Sequence, residues 1–91
     1  MKPIVFNKNT SWKFDTKDAD LNRYFLKETF CRLTDSFNVY GYMYLNKLYE
    51  RLFVKWNPDD ENICFRKENG PITFEFYYSE DKNEYIINIA Q

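Results

Sequence analysis

Aromatic side chains restrict the fold of this chain more than any other feature of its sequence. Nine Phe, eight Tyr and two Trp stand among its 91 residues. A buried aromatic side chain removes roughly 150–250 Å² from water, so a few of them supply the core of one small domain. Because every tyrosine hydroxyl needs a hydrogen-bond partner or water, part of this aromatic surface should be exposed and open to partners. We therefore predict a single domain over residues 1–91 with an aromatic core.

The clearest periodic pattern predicts an amphipathic helix over residues 19–38. Asp18 is a suitable N-cap, and Asp20 suits the positive end of the helix dipole. Gly41 is a suitable residue at the helix C-terminus. Apolar residues recur at helical spacing and assign one face to the core: Leu26, Phe30, Leu33, Phe37 and Tyr40.

A second amphipathic pattern predicts a helix that begins between Tyr42 and Asn46. Pro58 ends it, because the residue before a proline avoids the helical conformation. Residues 42–44 can instead form a short extended entry to this helix. The apolar positions of the pattern are Leu45, Leu48, Tyr49, Leu52, Phe53 and Trp56.

The last third of the chain has the alternation of apolar and polar residues that is typical of strands. Segments 63–66, 72–79 and 85–90 predict a three-stranded antiparallel meander, and segments 3–6 and 11–14 predict two shorter strands. The predicted fold class is α+β, with two amphipathic helices packed on an antiparallel sheet whose core is the C-terminal meander.

Charge is divided unevenly along the chain, although the net charge is only −1. Residues 1–56 hold ten Lys/Arg and six Asp/Glu, whereas residues 57–91 hold three and eight. The acidic overall balance disfavours nucleic acid as a partner, and it leaves open whether the acidic C-terminal sheet mimics nucleic acid. Cys31 and Cys64 match no metal or redox motif, and no apolar run approaches the roughly 20 residues of a membrane span. We expect a cytoplasmic protein with free thiols that binds neither metal nor membrane.

Catalytic residue patterns are missing from the sequence. It has no histidine, which removes the usual general base near neutral pH and the commonest metal ligand. The densest acidic cluster, Asp59-Asp60-Glu61, falls in the turn around Pro58, where we expect the carboxylates to face water. Only two glycines are present, so no phosphate-binding glycine loop can form. We predict no catalytic activity and no cofactor.

Two candidate sites remain. Tyr42, Met43 and Tyr44 form a candidate protein-interaction patch, because tyrosine offers a large contact area at low ordering cost. The alternative site is the basic stripe Lys47, Arg51 and Lys55, spaced for one helix face. A helix after a turn, followed by a hairpin, has the outline of a winged helix, in which the stripe would contact phosphates. The hairpin is acidic, which opposes that function, and the stripe is equally consistent with a solvated face.

The segment Tyr40-Gly41-Tyr42, the following Leu45-x-x-Leu48-Tyr49-x-x-Leu52 and the Trp56-Asn57 pair together carry a resemblance. Residues 26–57 resemble a segment of small uncharacterised proteins, a domain of unknown function in bacterial prophages and mobile elements. Phe53 stands where such proteins often have Gly. The resemblance implies a bacterial or phage origin. It identifies no catalytic or binding residue in this chain. We predict a small interaction domain that binds another protein or itself, with a winged-helix-like nucleic-acid-binding domain as the alternative.

Overall fold

Helices and strands of this chain are described by a computed structural model that covers residues 3–91. The strands are β1 (Ile4–Phe6), β2 (Tyr42–Tyr44), β3 (Cys64–Arg66), β4 (Thr73–Ser79) and β5 (Glu84–Ala90). The helices are α1 (Ala19–Tyr40) and α2 (Leu45–Arg51), with short 3-10 helices at Pro58–Asp60 and Lys67–Asn69. Helices packed on antiparallel strands confirm the predicted α+β class.

The described strands form two antiparallel sheets. The larger sheet has the order β1-β5-β4, and the smaller sheet pairs β2 with β3. The meander predicted at the C-terminus is present as the β4–β5 hairpin, which is paired from Thr73–Ala90 to Ser79–Glu84. Asn83 has a φ of 50° within the hairpin turn, a conformation that Asn tolerates better than most residues.

The third strand of the larger sheet is β1 rather than the segment 63–66. β1 places Ile4 opposite Ile87 and Phe6 opposite Tyr85, and all four side chains are buried. β3 pairs with β2 because the 3-10 turn after it, followed by Pro71, prevents a tight hairpin to β4. Alternation along a segment identifies a strand, but it does not name the strand's partner.

Aromatic rings join the layers of the core, as the composition predicts. Phe6 of β1 lies at the centre, with ring centroids 5.4 Å from Phe14, 5.6 Å from Phe25 and 6.3 Å from Tyr85. Phe30 of α1 stacks on Phe74 of β4 at 4.9 Å. These contacts fix α1 across one face of the larger sheet.

Both ends of α1 follow the capping pattern of the sequence. The Asp18 carboxylate accepts a hydrogen bond from the Leu21 backbone N–H, at 3.0 Å. Gly41 has a φ of 85°, and its N–H donates to the Phe37 carbonyl at 2.8 Å. The helix therefore stops at a left-handed residue, two positions later than the sequence pattern indicates.

α2 is shorter than predicted and ends well before Pro58. Phe53 adopts a left-handed φ of 57°, its N–H donates to the Glu50 carbonyl, and the Val54 N–H donates to the Tyr49 carbonyl. This pair of hydrogen bonds is a Schellman motif, which closes a helix at its C-terminus. Glycine is the usual residue at the left-handed position, and Phe53 occupies it here. The apolar pattern that extends to Trp56 is therefore not helical beyond Arg51.

The prediction of a strand at residues 11–14 is wrong. Ser11 forms a single bridge with Val54, and its hydroxyl donates to the Leu52 carbonyl at 2.6 Å. The chain turns on either side of this anchor, so Trp12 is largely exposed while Phe14 is buried. Trp12 lies against Phe53, with ring centroids 4.7 Å apart.

The left-handed conformation of Phe53 leads to a stability prediction. A left-handed residue with a Cβ costs roughly 1–2 kcal/mol, and glycine avoids this cost. F53G should therefore be more stable than F53A by about 1 kcal/mol, although both variants lose the same ring. Urea unfolding of both variants measures the difference.

Lys27, exposed in the middle of α1, supplies the control for that comparison. There the order should reverse, with K27A more stable than K27G by about 1 kcal/mol. An F53A variant as stable as F53G, beside a normal Lys27 pair, would contradict the left-handed end of α2.

Candidate functional site

An open groove of about 680 Å³ lies between the C-terminal end of α1, strand β2, helix α2 and the loop that follows α2. The sequence predicted two alternative sites, and the groove contains most of each. It includes Tyr42, Met43 and Tyr44 of the interaction patch, and Lys47 and Arg51 of the basic stripe. Its lining residues are Ser36, Tyr40, Tyr42, Met43, Tyr44, Asn46, Lys47, Glu50, Arg51, Trp56 and Glu61.

β2 determines how the tyrosine patch is presented. Side chains alternate along a strand, so Tyr42 and Tyr44 share one face and Met43 has the other. Tyr42 and Tyr44 are 49% and 48% exposed, and their rings meet edge to face at 5.9 Å. Met43 is only 5% exposed and belongs to the core, where it forms part of the groove wall. Both tyrosines of the patch are therefore accessible.

Tyr40 and Trp56 add two further aromatic side chains to the groove. Tyr40 is 71% exposed, so the prediction that it belongs to the core is wrong. It is the last residue of α1, immediately before Gly41 turns the chain into β2. Trp56 is 54% exposed, because the left-handed turn at Phe53 takes it off the apolar face that the helical pattern predicted. Both positions depend on how a helix ends, which the apolar spacing does not encode.

The basic stripe is divided by the end of α2. Lys47 and Arg51 lie on α2 and line the groove. Lys55 lies beyond the helix and does not line it, so the three cations do not form the continuous helical face that their spacing predicted. The Lys47 ammonium is 3.8 Å from a Glu50 carboxylate oxygen. Among residues 3–91, Arg51 has no ion-pair partner.

The formal charges around the groove cancel. Lys47 and Arg51 contribute two positive charges, and Glu50 and Glu61 contribute two negative ones. Exposed ion pairs of this kind contribute little to stability, so these side chains are free to rearrange around a ligand. The groove therefore combines exposed aromatic area with mixed charge, and it offers no strong field of either sign.

Asn46 contributes an unsatisfied polar atom that the sequence did not indicate. The residue lies in the first turn of α2, lines the groove and is only 8% exposed. Its Oδ1 is buried and accepts no hydrogen bond from any described residue. A buried acceptor without a partner costs about 1–3 kcal/mol. Rotation of the side-chain amide toward the groove would bring this oxygen within reach of an N–H from a ligand.

Asp60 departs from the prediction that its acidic cluster faces water. Its side chain is 9% exposed and accepts a hydrogen bond from the Tyr49 hydroxyl, at 3.1 Å, whereas Asp59 and Glu61 are exposed. Burial raises the pKa of Tyr49, and the hydrogen bond and negative charge of Asp60 raise it further. The contact ties the loop after α2 back to the helix. This contact gives Asp60 a structural role. A pair of catalytic carboxylates would need a second buried carboxylate beside it, and the described chain has none.

Nowhere in residues 3–91 do three or more His, Cys, Asp or Glu side chains come together in a way that could hold a metal ion. Neither described helix is long and apolar enough to cross a membrane. Cys31 is exposed and Cys64 is partly exposed, and the two thiols are not bonded to each other.

Comparisons with protein-family models, curated proteins and solved structures found no match to this chain.

The Tyr49–Asp60 contact predicts how stability depends on pH. The folded state favours neutral Tyr49, so above its ordinary pKa of 10.0 the unfolded chain loses this proton first. The contribution of Tyr49 is therefore complete below that pH and is lost as the pH rises through the folded-state pKa. The free energy of unfolding should fall above pH 10 by up to about 1.4 kcal/mol per pH unit on account of this group.

Y49F removes this titration and should give a shallower decline, measured by urea unfolding at a series of alkaline pH values. Part of the decline remains in the variant, because burial also raises the pKa of Tyr85. Y24F, altered at an exposed tyrosine of α1, is the control and should follow the natural chain. Equal slopes for Y49F and the natural chain would show that Tyr49 is not buried against Asp60.

Proposed function

We propose that this chain is a small interaction domain without catalytic activity, whose groove binds a segment of a partner protein. The observation that carries the proposal is the convergence of four exposed aromatic side chains on that groove. They are Tyr40, Tyr42, Tyr44 and Trp56. Tyrosine and tryptophan supply most of the binding energy in many protein interfaces, where each loses little conformational freedom.

The charges of the groove favour a protein segment over a polyanion. Two acidic side chains beside Lys47 and Arg51 would repel a run of phosphates, whereas an interface core surrounded by mixed charge is typical of protein partners. Arg51 has no ion-pair partner in the described chain, and a partner carboxylate could bind its guanidinium in bidentate geometry. The partner segment is therefore apolar or aromatic in the middle and carries at least one acidic residue.

Asn46 supports an extended conformation for that segment. An extended backbone presents free N–H groups along its length, whereas a helix uses most of its N–H groups in its own hydrogen bonds. Once the Asn46 amide rotates toward the groove, one such N–H can donate to its Oδ1 and satisfy this acceptor. The aromatic side chains would then contact the partner's side chains while Asn46 binds its backbone.

Nucleic-acid binding is the second candidate, and one observation favours it. Lys47 and Arg51 lie beside exposed aromatic rings, the combination on which single-stranded nucleic acid stacks. The winged-helix version has less support, since α2 has seven residues, Lys55 lies outside it and the β4–β5 hairpin is acidic. Binding of this kind would weaken steeply with salt and would be lost in K47E/R51E.

The proposal also places the domain in a bacterial cytoplasm, within a prophage or mobile element. The resemblance of residues 26–57 supports the origin. Two thiols that are not bonded to each other, Cys31 and Cys64, fit a reducing compartment, where disulfides are rare.

Selection from a display library of random peptides tests the proposal directly. Peptides that bind the natural chain should be enriched in apolar or aromatic residues flanked by Asp or Glu. Y42A/Y44A should weaken the best peptide by at least about 2 kcal/mol, roughly thirtyfold in Kd by isothermal titration calorimetry, because two central contacts are removed. R51A should weaken acidic peptides more than their Asn or Gln versions.

Y24A is the matched control, because Tyr24 is 65% exposed on α1 and does not line the groove. It should bind the selected peptide as the natural chain does. Equal affinity for Y42A/Y44A and Y24A would contradict the proposal. Salt-sensitive binding of labelled DNA that is lost in K47E/R51E, without any selected peptide, would favour the second candidate.

A further inference from the structure

β4 forms an open edge of the larger sheet. It pairs along one side with β5 over all seven of its residues, from Thr73 to Ser79. No described strand pairs with its other side, since the sheet order is β1-β5-β4. The backbone N–H and C=O groups on that side are therefore available to another strand.

Of the features by which proteins usually prevent edge-to-edge pairing, this edge has only one charged side chain, that of Glu75. β4 contains no proline, lysine or arginine, and its unbroken register with β5 contains no bulge. The opposite edge differs, because β1 has only three residues and follows Pro3. β4 is the longer and less protected of the two edges.

We infer that two copies of this chain associate through their β4 edges, in antiparallel register centred on Phe76. The three-stranded sheets of the two copies then join into one continuous sheet. β4 has the sequence Thr-Phe-Glu-Phe-Tyr-Tyr-Ser, which is complementary to itself in this register and therefore favours a second copy as the partner. A two-fold axis beside Phe76 brings the same surface of each copy together.

Each cross-strand pair in this register is favourable or neutral. On the face that packs against α1, Phe76 meets Phe76 and Phe74 meets Tyr78, and aromatic pairs of this kind stabilise sheets. On the opposite face, Glu75 meets Tyr77 and Thr73 meets Ser79. The single charge of β4 thus avoids a direct like-charge pair, whereas a register centred on Glu75 would place two carboxylates opposite each other.

The burial of β4 fits the same arrangement. Phe74 and Phe76 contact Phe30 of α1, with ring centroids at 4.9 Å and 5.8 Å, yet both remain only partly buried. The equivalent rings of a second copy would cover their outer sides. No residue of β4 lines the groove described above, so this association is independent of the proposed function.

Thr73 and Ser79 provide a test of both the association and its register. T73K/S79K places lysines opposite each other at both ends of the paired strands, whereas T73E/S79K places Glu opposite Lys at the same positions. Within one chain the two variants are matched, because position 79 lies opposite Glu84 in both and position 73 lies opposite Ala90. Sedimentation equilibrium at low ionic strength measures the dimer dissociation constant, and thermal unfolding confirms that each variant is folded.

The natural chain should form a dimer with a Kd below about 1 mM. T73K/S79K should weaken the dimer and T73E/S79K should restore it, with roughly a tenfold difference between the two variants. A natural chain that stays monomeric throughout would overturn the inference. A T73K/S79K dimer as tight as that of T73E/S79K would overturn the register, because lysines would then not face each other.

Discussion

The chain reverses direction at Gly41, and this reversal positions the helices and strands on either side of it. Its φ of 85° ends α1 and turns the chain directly into β2, without an intervening loop. Its N–H donates to the Phe37 carbonyl at 2.8 Å, and its own carbonyl accepts from the Lys67 N–H at 2.9 Å. One residue thereby joins α1, β2 and the end of β3. Because both α1 and β2 contribute to the groove, this turn sets the angle between two of its walls.

Aromatic residues divide between the core and the surface. Phe6, Phe14, Phe37 and Tyr85 are buried and connect β1, α1 and β5. Tyr40, Tyr42, Tyr44 and Trp56 are exposed and line one groove, whereas five other exposed aromatic residues lie outside it: Trp12, Tyr24, Phe53, Tyr77 and Tyr78. Single exposed aromatic residues are common in soluble proteins, and a contiguous group beside a groove is the basis for proposing a binding surface here. The division explains how a chain of 91 residues can accommodate so many aromatic side chains.

The sequence predicted those helix and strand features that depend only on neighbouring residues. The start of α1 follows from Asp18, and the two long strands follow from alternation, because capping and side-chain period depend on neighbouring residues. Strand partners were not predictable in this way, so β3 was assigned to the wrong sheet. The end of α2 was not predicted, because Phe53 adopts the left-handed conformation that glycine usually occupies at a helix C-terminus.

The sequence predicted only those parts of the candidate site that depend on neighbouring residues. Exposure of Tyr42 and Tyr44 follows from their alternation with Met43 along β2. The prediction that Met43 is itself an exposed member of the patch is wrong, because the same alternation buries it in the core. Exposure of Tyr40 and Trp56 follows from the two left-handed helix ends, which turn the chain away from a continuous apolar face. Burial of Asp60 depends on Tyr49, eleven residues earlier in the chain, and no local pattern encodes that contact.

Nuclear magnetic resonance of the two tryptophan indole N–H groups can show whether partners bind in the groove. Trp56 lines the groove, whereas Trp12 lies beside Phe53 outside it, so each reports on a different surface. W12F assigns the two signals, and a peptide selected for binding is then titrated into the isotope-labelled protein. If the peptide binds in the groove, the Trp56 signal should shift in proportion to bound peptide while the Trp12 signal stays in place. A shift confined to Trp12, or peptide binding that moves neither signal, would contradict binding in the groove.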